Sequence, residues 1–419
     1  MQSTIRAFRN TSVSSAKVSS FLQEPTVASI RHFHQSMPGY SITPLVELQM
    51  LSQKLGIKNI LVKDESKRFG LNAFKGLGGS YAIFRAICQK LNLDESKTTF
   101  PDLQNPGIQK ALEDTVFVTA TDGNHGKGVS WAAGLLGCKA VVYMPKGSSE
   151  IRAEAIRKAG EAEVSITGFG YDDTVRMAAK NASENGWILV QDTSWENYEK
   201  IPAWIIQGYT TLAAEAVEQM EAKELAPTHV FLQAGVGAMA GGILGYLATR
   251  YAESRPMFSI VEPASVACIY ASARKGDGKP HAVVDAGPTI MAGLNCGEPC
   301  TITWPILRDF AEYYFSCPDF VAAEGMRAFA RPIGDDPAVV SGESGAATFG
   351  LLLHLLQAES LNEVKKQMKL NENSVVFLIN TEGDTDPACY RRIVENGEYP
   401  APLLNESNSR SEIPYQRRW

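Results

Sequence analysis

The feature that most constrains the fold is an alternation of short apolar runs with helix-like stretches, which begins near residue 115. A first series of candidate strands comprises Thr115–Ala120, Lys139–Met144, Glu163–Thr167 and Trp187–Gln191, with helical stretches near 125–137, 148–160 and 172–185. Strands that alternate with helices in this way favour β-α units on a parallel sheet.

A second series of the same kind follows and predicts a second sheet. Its candidate strands are Lys58–Lys63, His229–Gln233, Met257–Val261 and Val375–Ile379. Since 419 residues are too many for one ordinary core, we expect two domains. The predicted fold class is α/β, with two open parallel-sheet domains and flanking helices. Residues 1–85 plus 200–419 would form the larger domain, and the inserted residues 86–199 the smaller one.

Charge and cysteine content exclude several classes of protein. The net charge is −6, with no basic stripe to suggest nucleic acid and no apolar run long enough to span a bilayer. Seven scattered cysteines indicate a reducing, cytoplasmic setting, and no metal site is predicted. The N-terminal stretch with Arg6, Arg9 and Lys17 could be a mitochondrial transit peptide; we favour an N-terminal arm, because no sustained amphipathic pattern is present.

A glycine-rich loop, Gly235-Val236-Gly237-Ala238-Met239-Ala240-Gly241-Gly242, follows the strand that ends at Gln233. A strand, a glycine-rich turn and a helix start together place backbone N–H groups around an anion. The loop lacks the ending of a triphosphate-binding loop. It also fits a dinucleotide fingerprint poorly, since only Glu262 could serve as its acidic residue. A tight turn with close helix packing is the structural alternative.

Lys75 lies between Phe74 and a glycine-rich turn that leads into a helix. An amine in apolar surroundings near other cations has a lowered pKa, as a Schiff-base nucleophile needs. A lone lysine is usually a solvated surface residue, but Phe74, Leu77 and three glycines argue against that interpretation.

A third loop, Thr121-Asp122-Gly123-Asn124-His125-Gly126, lies at another strand-to-helix turn. The amide of Asn124 can meet a ring or carboxylate oxygen. Asp122 could equally be a helix N-cap, and His125 a structural histidine.

Together these segments resemble the fold type II (tryptophan synthase β-like) pyridoxal-phosphate enzymes. The stretches "KDESKRFGLNAFKGLGGSYA", "TATDGNHGKGVSWAA", "VQDTSWENYEKIPAWIIQGY", "LQAGVGAMAGG", "SGESGAATFG" and "NTEGDTD" are similar, more specifically, to the diaminopropionate ammonia-lyases. The similarity runs from about residue 30 to 400. It implies pyridoxal 5′-phosphate as cofactor, held by the larger domain, and a smaller domain that closes the cleft.

The resemblance also implies roles for single residues. Lys75 would carry the cofactor as a Schiff base, and Gly235, Val236, Gly237, Ala238, Met239 and Gly241 would bind its phosphate. Asn124 would bond the phenolic oxygen and Thr381 the pyridine nitrogen, although Thr381 could be an ordinary strand-end residue. Glu343 could approach the ring, and Cys268 and Cys296 could approach one another near the cleft.

Asp122 and Asp192 set this chain apart from serine and threonine dehydratases, which usually have serine at the place of Asp122. A carboxylate can attract a substrate amine or remove a Cα proton. The resemblance implies α,β-elimination of D- and L-2,3-diaminopropionate to pyruvate and two ammonia, with Asp122 acting on the D and Asp192 on the L form. It also implies a homodimer without nucleic-acid or membrane partners. A serine/threonine dehydratase-type lyase and a non-catalytic cofactor-binding relative are the alternatives.

Overall fold

A computed structural model describes residues 4–14, 20–121, 123–283 and 287–402. Within those ranges, every helix is too short or too polar to cross a membrane. Asp122, one of the predicted catalytic residues, lies outside the described residues.

The strands of the described chain are β1 Arg6–Arg9, β2 Leu45–Glu47, β3 Asn59–Asp64, β4 Val116–Ala120, β5 Lys139–Met144, β6 Glu163–Ile166, β7 Ile188–Leu189, β8 His229–Gln233, β9 Met257–Pro263, β10 Tyr313–Cys317 and β11 Val375–Asn380. The α-helices are α1 Glu24–Gln35, α2 Gln49–Leu55, α3 Lys75–Leu91, α4 Phe100–Leu103, α5 Pro106–Leu112, α6 Asn124–Leu135, α7 Glu150–Gly160, α8 Tyr171–Asn185, α9 Lys200–Glu221, α10 Ala238–Arg250, α11 Cys268–Lys275, α12 Trp304–Phe310, α13 Asp319–Ala330, α14 Glu343–Gln357, α15 Asn362–Met368 and α16 Pro387–Val394. Short 3-10 helices comprise Ser20–Leu22, Glu65–Gly70, Ala292–Leu294 and Glu359–Leu361.

The larger sheet has seven strands in the order β1-β10-β9-β8-β11-β3-β2. Its five central strands are parallel, and β3, β8, β10 and β11 are buried along their whole length. Strands that are covered by helices on both faces favour largely apolar sequences, and β3, β8, β9 and β11 were predicted on that basis.

The smaller sheet has four parallel strands in the order β6-β5-β4-β7. It comprises the first series of predicted strands, so the α/β class with two parallel-rich sheets is confirmed. The domain limits at 85/86 and 199/200 stay a prediction. One helix, α3, runs without interruption across the first of these limits.

The sheets differ from the prediction in the direction of the edge strands, in three additional strands and in the length of one predicted strand. Both edges of the larger sheet are antiparallel: β1, within the predicted arm, pairs with β10, and β2 pairs with β3. None of these three strands, β1, β2 and β10, was expected. The predicted strand Trp187–Gln191 shrinks to Ile188–Leu189, because the Trp187 N–H bonds to Ala182 at the end of α8 and the Gln191 N–H bonds to the Tyr198 hydroxyl.

Glycines allow α3 to approach two neighbouring helices closely. A Cβ at Gly78 would lie 2.5 Å from the Tyr209 ring of α9, and one at Gly208 would lie 2.6 Å from the Leu77 carbonyl oxygen. On another face, a Cβ at Gly128 of α6 would lie 3.0 Å from the Lys75 carbonyl oxygen. These contacts set the first turn of α3, and with it Lys75, between the two sheets.

Candidate active site

Lys75 is the first residue of α3 and points into the cleft between the sheets. The chain is held just before it, because the Phe74 N–H donates to the Thr381 carbonyl over 3.1 Å. Its ammonium contacts the Asp192 carboxylate and lies 5.5 Å and 6.0 Å from the ring centroids of Phe74 and Tyr209. The predicted apolar surroundings are therefore present.

Arg68, a cation in the segment before Lys75, is engaged by carboxylates of its own. Arg68 is fully buried and bound by Glu65 and Glu215, at 2.8 Å and 2.7 Å. The charge next to Lys75 is instead negative, since Asp192 lies against its ammonium.

Asp192 keeps a charged carboxylate although it is only 6% exposed. Burial alone would raise its pKa, but the neighbouring His125 ring and Lys75 ammonium lower the pKa of Asp192 to about 2. Because the positive charge of Lys75 is one cause of this low pKa, a change in the charge of Lys75 will change the basicity of Asp192.

His125 faces the same carboxylate from the first turn of α6. Its Nε2 lies 2.7 Å from the Val190 carbonyl, which can only accept, so Nε2 carries the hydrogen. Nδ1 lies 3.8 Å from Asp192 Oδ2, and burial lowers the pKa of His125. A hydrogen on Nδ1 makes the ring positive, and in that state it attracts the Asp192 carboxylate and lowers the pKa of Asp192.

The glycine-rich loop joins β8 to α10 beside Lys75. Gly237 has φ +88°, a conformation that favours glycine, and a Cβ there would lie 2.7 Å from Leu307. A Cβ at Gly235 would lie 3.1 Å from Leu294 Cα. The loop is therefore shaped with its backbone exposed to the cleft at the N-terminus of α10, an arrangement suited to a phosphate.

Thr381 lies at the carboxyl end of β11 with its hydroxyl in the cleft. Gln233 Nε2 donates to the Ile379 carbonyl and, over 3.1 Å, to Thr381 Oγ1. Because the hydroxyl oxygen already accepts there, its hydrogen is free to donate to an acceptor such as a pyridine nitrogen.

Asn124 is the first residue of α6 and lines the cleft together with Glu382. The side-chain amide of Asn124 donates a hydrogen bond to the carboxylate of Glu382. The cleft is open to solvent and encloses about 710 Å³ of empty space together with its mouth. Among the predicted site residues, those that line the cleft are Lys75, Asn124, Asp192, Gly235, Val236, Gly237, Ala238, Met239 and Thr381.

Gly241 lies one turn into α10, where a Cβ would be 2.4 Å from Thr303, and so serves helix packing. Glu343 is buried, 4.0 Å from Arg152, and its neighbour Ser344 lines the cleft instead. The Cys268 thiol lies 3.7 Å from the Cys296 carbonyl oxygen, and the two cysteines form no disulfide in the described structure.

Glu262 is not available to a dinucleotide. Its carboxylate is fully buried and accepts the N–H groups of Ile269 and Tyr270, over 2.8 Å and 2.6 Å, at the start of α11. Burial, although opposed by these hydrogen bonds, raises the pKa of Glu262 to about 8.

A half-buried lysine at a helix start, a glycine loop at the N-terminus of a helix, and a hydroxyl with a hydrogen left to donate lie around one cleft and fit pyridoxal phosphate. These features, on this α/β fold, define a pyridoxal-phosphate enzyme of the type that the sequence predicts. The chain belongs to the family described as "Pyridoxal-phosphate dependent enzyme", whose family model matches residues 37–379.

Within that family, the chain is 52% identical over 367 residues to the diaminopropionate ammonia-lyase of Salmonella typhimurium, covering 87% of this chain and 91% of the relative. The crystal structure of holo diaminopropionate ammonia-lyase from Escherichia coli superimposes with a TM-score of 0.90 at 47% identity, covering 96% of this chain and 100% of the other. The same enzyme in complex with an aminoacrylate-PLP azomethine reaction intermediate gives a TM-score of 0.88 at 47% identity, covering 96% and 99%. The predicted resemblance is confirmed.

Proposed function

We propose that this chain is a pyridoxal-phosphate-dependent ammonia-lyase that converts 2,3-diaminopropionate and water to pyruvate and two molecules of ammonia. The observation that carries the proposal is the contact of the Asp192 carboxylate with Lys75 inside the cleft. It occurs in a chain that shares about half its residues with the Salmonella lyase over nearly the whole length of that enzyme.

The residues that would hold the cofactor are those around the cleft. Lys75 would bind it covalently, the backbone of residues 235–239 would bind its phosphate, and Thr381 and Asn124 would bond its ring. When bound, the cofactor supplies an electron-withdrawing ring that stabilises negative charge at the substrate α carbon.

Asp192 would remove the α proton of one enantiomer. While Lys75 is an ammonium, the pKa of Asp192 is about 2 and the carboxylate is a weak base. Loss of the charge on Lys75 removes one of the groups that lower this pKa, so Asp192 becomes a stronger base when Lys75 is a neutral amine. The buried His125 ring faces the same carboxylate, with Nδ1 3.8 Å from Asp192 Oδ2.

Asp122 would remove the α proton of the other enantiomer. As in the sequence-based assignment, we assign Asp122 to the D form and Asp192 to the L form. After loss of the proton, the β C–N bond breaks and the amine leaves as ammonia. The three-carbon enamine that is released hydrolyses with one water to pyruvate and the second ammonia.

The assembly and compartment are also proposals. We expect a homodimer, which size-exclusion chromatography with light scattering will test, and a cytoplasmic location, which imaging of the tagged full chain will test. The resemblance to the lyase family supports the homodimer, and the scattered cysteines, which form no disulfide within the described residues, support the cytoplasmic location.

Pyruvate and ammonia release from D- and L-diaminopropionate, serine and threonine tests the reaction. We expect diaminopropionate to be the preferred substrate and two ammonia to appear per pyruvate. Exclusive turnover of serine or threonine would favour a dehydratase. Cofactor binding without ammonia release from any of these amino acids would contradict the proposal and favour a non-catalytic relative.

A further inference from the structure

Glu382 is a cleft residue for which the reaction outlined above has no use. It follows Thr381 directly, is 3% exposed and lines the cleft. Its backbone is held on two sides, by a bridge to Ala73 near Lys75 and by a 3.0 Å hydrogen bond from the Gly342 N–H to its carbonyl. The Glu382 side chain therefore extends into the cleft from a backbone position that is held in place.

The turn before α14 is built around this side chain. A Cβ at Gly342 would lie 2.9 Å from Glu382 Oε1 and 3.0 Å from its Cγ, and a Cβ at Gly345 would lie 3.2 Å from its carbonyl oxygen. Any residue larger than glycine at 342 would clash with the Gly383 carbonyl oxygen, 2.6 Å from the prospective Cβ, as well as with this carboxylate. The space is thus matched to a glutamate in this one orientation.

Both carboxylate oxygens have defined partners. Oε1 accepts the Ser344 N–H over 3.1 Å at the start of α14, where the helix dipole favours a negative charge. Oε2 accepts a hydrogen from Asn124 Nδ2. No lysine or arginine in the described chain forms an ion pair with Glu382, so its charge is not taken up by a structural salt bridge.

The carboxylate decides how the Asn124 amide is oriented. A carboxylate oxygen can only accept, so the nitrogen of the amide must face Glu382, and the amide cannot flip without placing two acceptors together. One of the two Nδ2 hydrogens is used in this way, and the other remains for an anionic oxygen in the cleft.

We propose that Glu382 is a positioning residue, which fixes the Asn124 amide with its N–H group available to the phenolic oxygen of the cofactor. The inference rests on the proposed cofactor site and not on the choice of substrate. In Glu382→Gln, the new amide can donate to Asn124 Oδ1, so that the flipped orientation becomes accessible. That orientation turns a carbonyl oxygen towards the phenolic oxygen and weakens binding.

A double-mutant cycle on cofactor binding tests the proposal. Protein stripped of cofactor is titrated with pyridoxal phosphate, and the Kd is measured for wild type, E382Q, Asn124→Ala and the double variant. We expect E382Q to raise Kd on the order of tenfold in the wild-type background, as for a lost charge-assisted hydrogen bond. In the Asn124→Ala background, the same change should raise Kd by less than about twofold, because its target is gone. The pH dependence of the visible absorbance of bound cofactor should shift in the same direction in E382Q and Asn124→Ala.

Equal effects of E382Q in both backgrounds, or no effect in either, would overturn the positioning role. Failure of wild type to bind the cofactor would instead contradict the proposed site itself. Asp336→Asn is the matched control: Asp336 is buried and accepts the N–H groups of Met50 and Leu51 outside the cleft, so this variant should keep the wild-type Kd. If E382Q does not fold, Glu382→Asp replaces it under the same criteria, since it keeps the charge but shortens the reach.

Discussion

Single residues in the cleft work by controlling one another's charge and orientation. Lys75 and His125 hold Asp192, Gln233 directs the Thr381 hydroxyl, and Glu382 orients Asn124. In each pair, one member would touch the substrate or the cofactor and the other limits it to one state. Removal of the second member should therefore change affinity or pH dependence more than it changes the fold.

The two aspartates give the first prediction at this scale. Asp192→Asn should lower kcat for the L enantiomer by about 10²–10⁴-fold, the usual contribution of a general base, and lower it less for the D enantiomer. Asp122→Asn should show the opposite preference. Steady-state kinetics with each pure enantiomer provide the measurement, and equal losses for both enantiomers in either variant would refute the assignment of faces.

For Asn124 and Thr381, the sequence identifies the residue that would contact the cofactor and misses its partner. Lys75, Asn124 and Thr381 stand in recognisable local motifs, so they could be predicted. Gln233 and Glu382 make their contacts through side chains that meet only after folding, across 148 residues to Thr381 and 258 residues to Asn124. The position of Glu382 beside Thr381 in "NTEGDTD" is the one local signal that could have found it.

The turn between β8 and α10 depends on the backbone conformation of a single residue, Gly237. Gly237 combines φ +88° with a prospective Cβ only 2.7 Å from Leu307, so a side chain there must move the loop. The exposed N–H groups of the loop would move with it.

We predict that Gly237→Ala raises the Kd for pyridoxal phosphate by at least about tenfold, because both the φ angle and the contact disfavour alanine. The control is Gly56→Ala at the end of α2, which also has a positive φ of +69° but has no atom within 4 Å of the prospective Cβ. It should cost about 1 kcal/mol of stability and leave the Kd unchanged. If Gly237→Ala bound the cofactor as tightly as wild type does, the loop would not be the phosphate site.

Elements were predictable where burial makes the sequence continuous and apolar. The central strands β8, β9 and β11 have that pattern. Strand β1 carries arginine at both ends and is held at the sheet edge by long-range pairing, Ala7 with Phe315, which no local pattern reveals. The short β7 was overpredicted because the apolar run Trp187–Val190 also supplies the end of α8 and a buried turn.

At the scale of the whole molecule, a buried cluster of ion pairs joins α9 to strand β3 and to the 3-10 helix that precedes Lys75. Glu215 of α9 binds Lys63 of β3 and Arg68 of the 3-10 helix Glu65–Gly70, over 2.8 Å and 2.7 Å, and all three side chains are fully buried. The same helix α9 presents Tyr209 to Lys75. The cluster thus ties the larger sheet to the helix that supports the reactive lysine.

Glu215→Gln should lower the free energy of unfolding by about 3–5 kcal/mol, because two buried cations lose their shared carboxylate. Glu218→Gln, one turn further along α9, removes only a surface pair with Arg31 and should cost at most about 1 kcal/mol. Denaturant unfolding of both variants gives the comparison. Similar losses in the two would show that the buried cluster contributes no more than a surface pair.

The cluster also predicts how stability depends on pH. Burial would raise the pKa of Glu215, but the hydrogen bond and charge of Arg68, together with Lys63, lower it to about 2 from the ordinary 4.5. A lowered pKa in the folded state stabilises the fold above the ordinary pKa, and this stabilisation is lost as pH falls towards the folded value. Unfolding free energy should therefore fall between about pH 4.5 and 2, and this part of the fall should be missing in Glu215→Gln. An unchanged acid profile in that variant would contradict the account.

At the scale of the chain, the alternation of apolar runs predicted two sheets, but not how they face each other. That arrangement depends on glycine contacts between helices, such as Gly78 with Tyr209, whose partners are distant in the sequence. The domain limits stay a prediction, which limited proteolysis of the full chain will test. Because α3 continues across 85/86, the cuts are expected in the exposed segments nearest to the predicted limits, at about 94–97 and 196–200.

The central claim is that Lys75 holds the cofactor at the base of this cleft. The most direct measurement is borohydride reduction of the cofactor-loaded protein, followed by peptide mass spectrometry. The account predicts one modified peptide, with the cofactor on Lys75, and no modification of the corresponding peptide in Lys75→Ala. Stable modification at another lysine, or retention of the visible chromophore in Lys75→Ala, would contradict it.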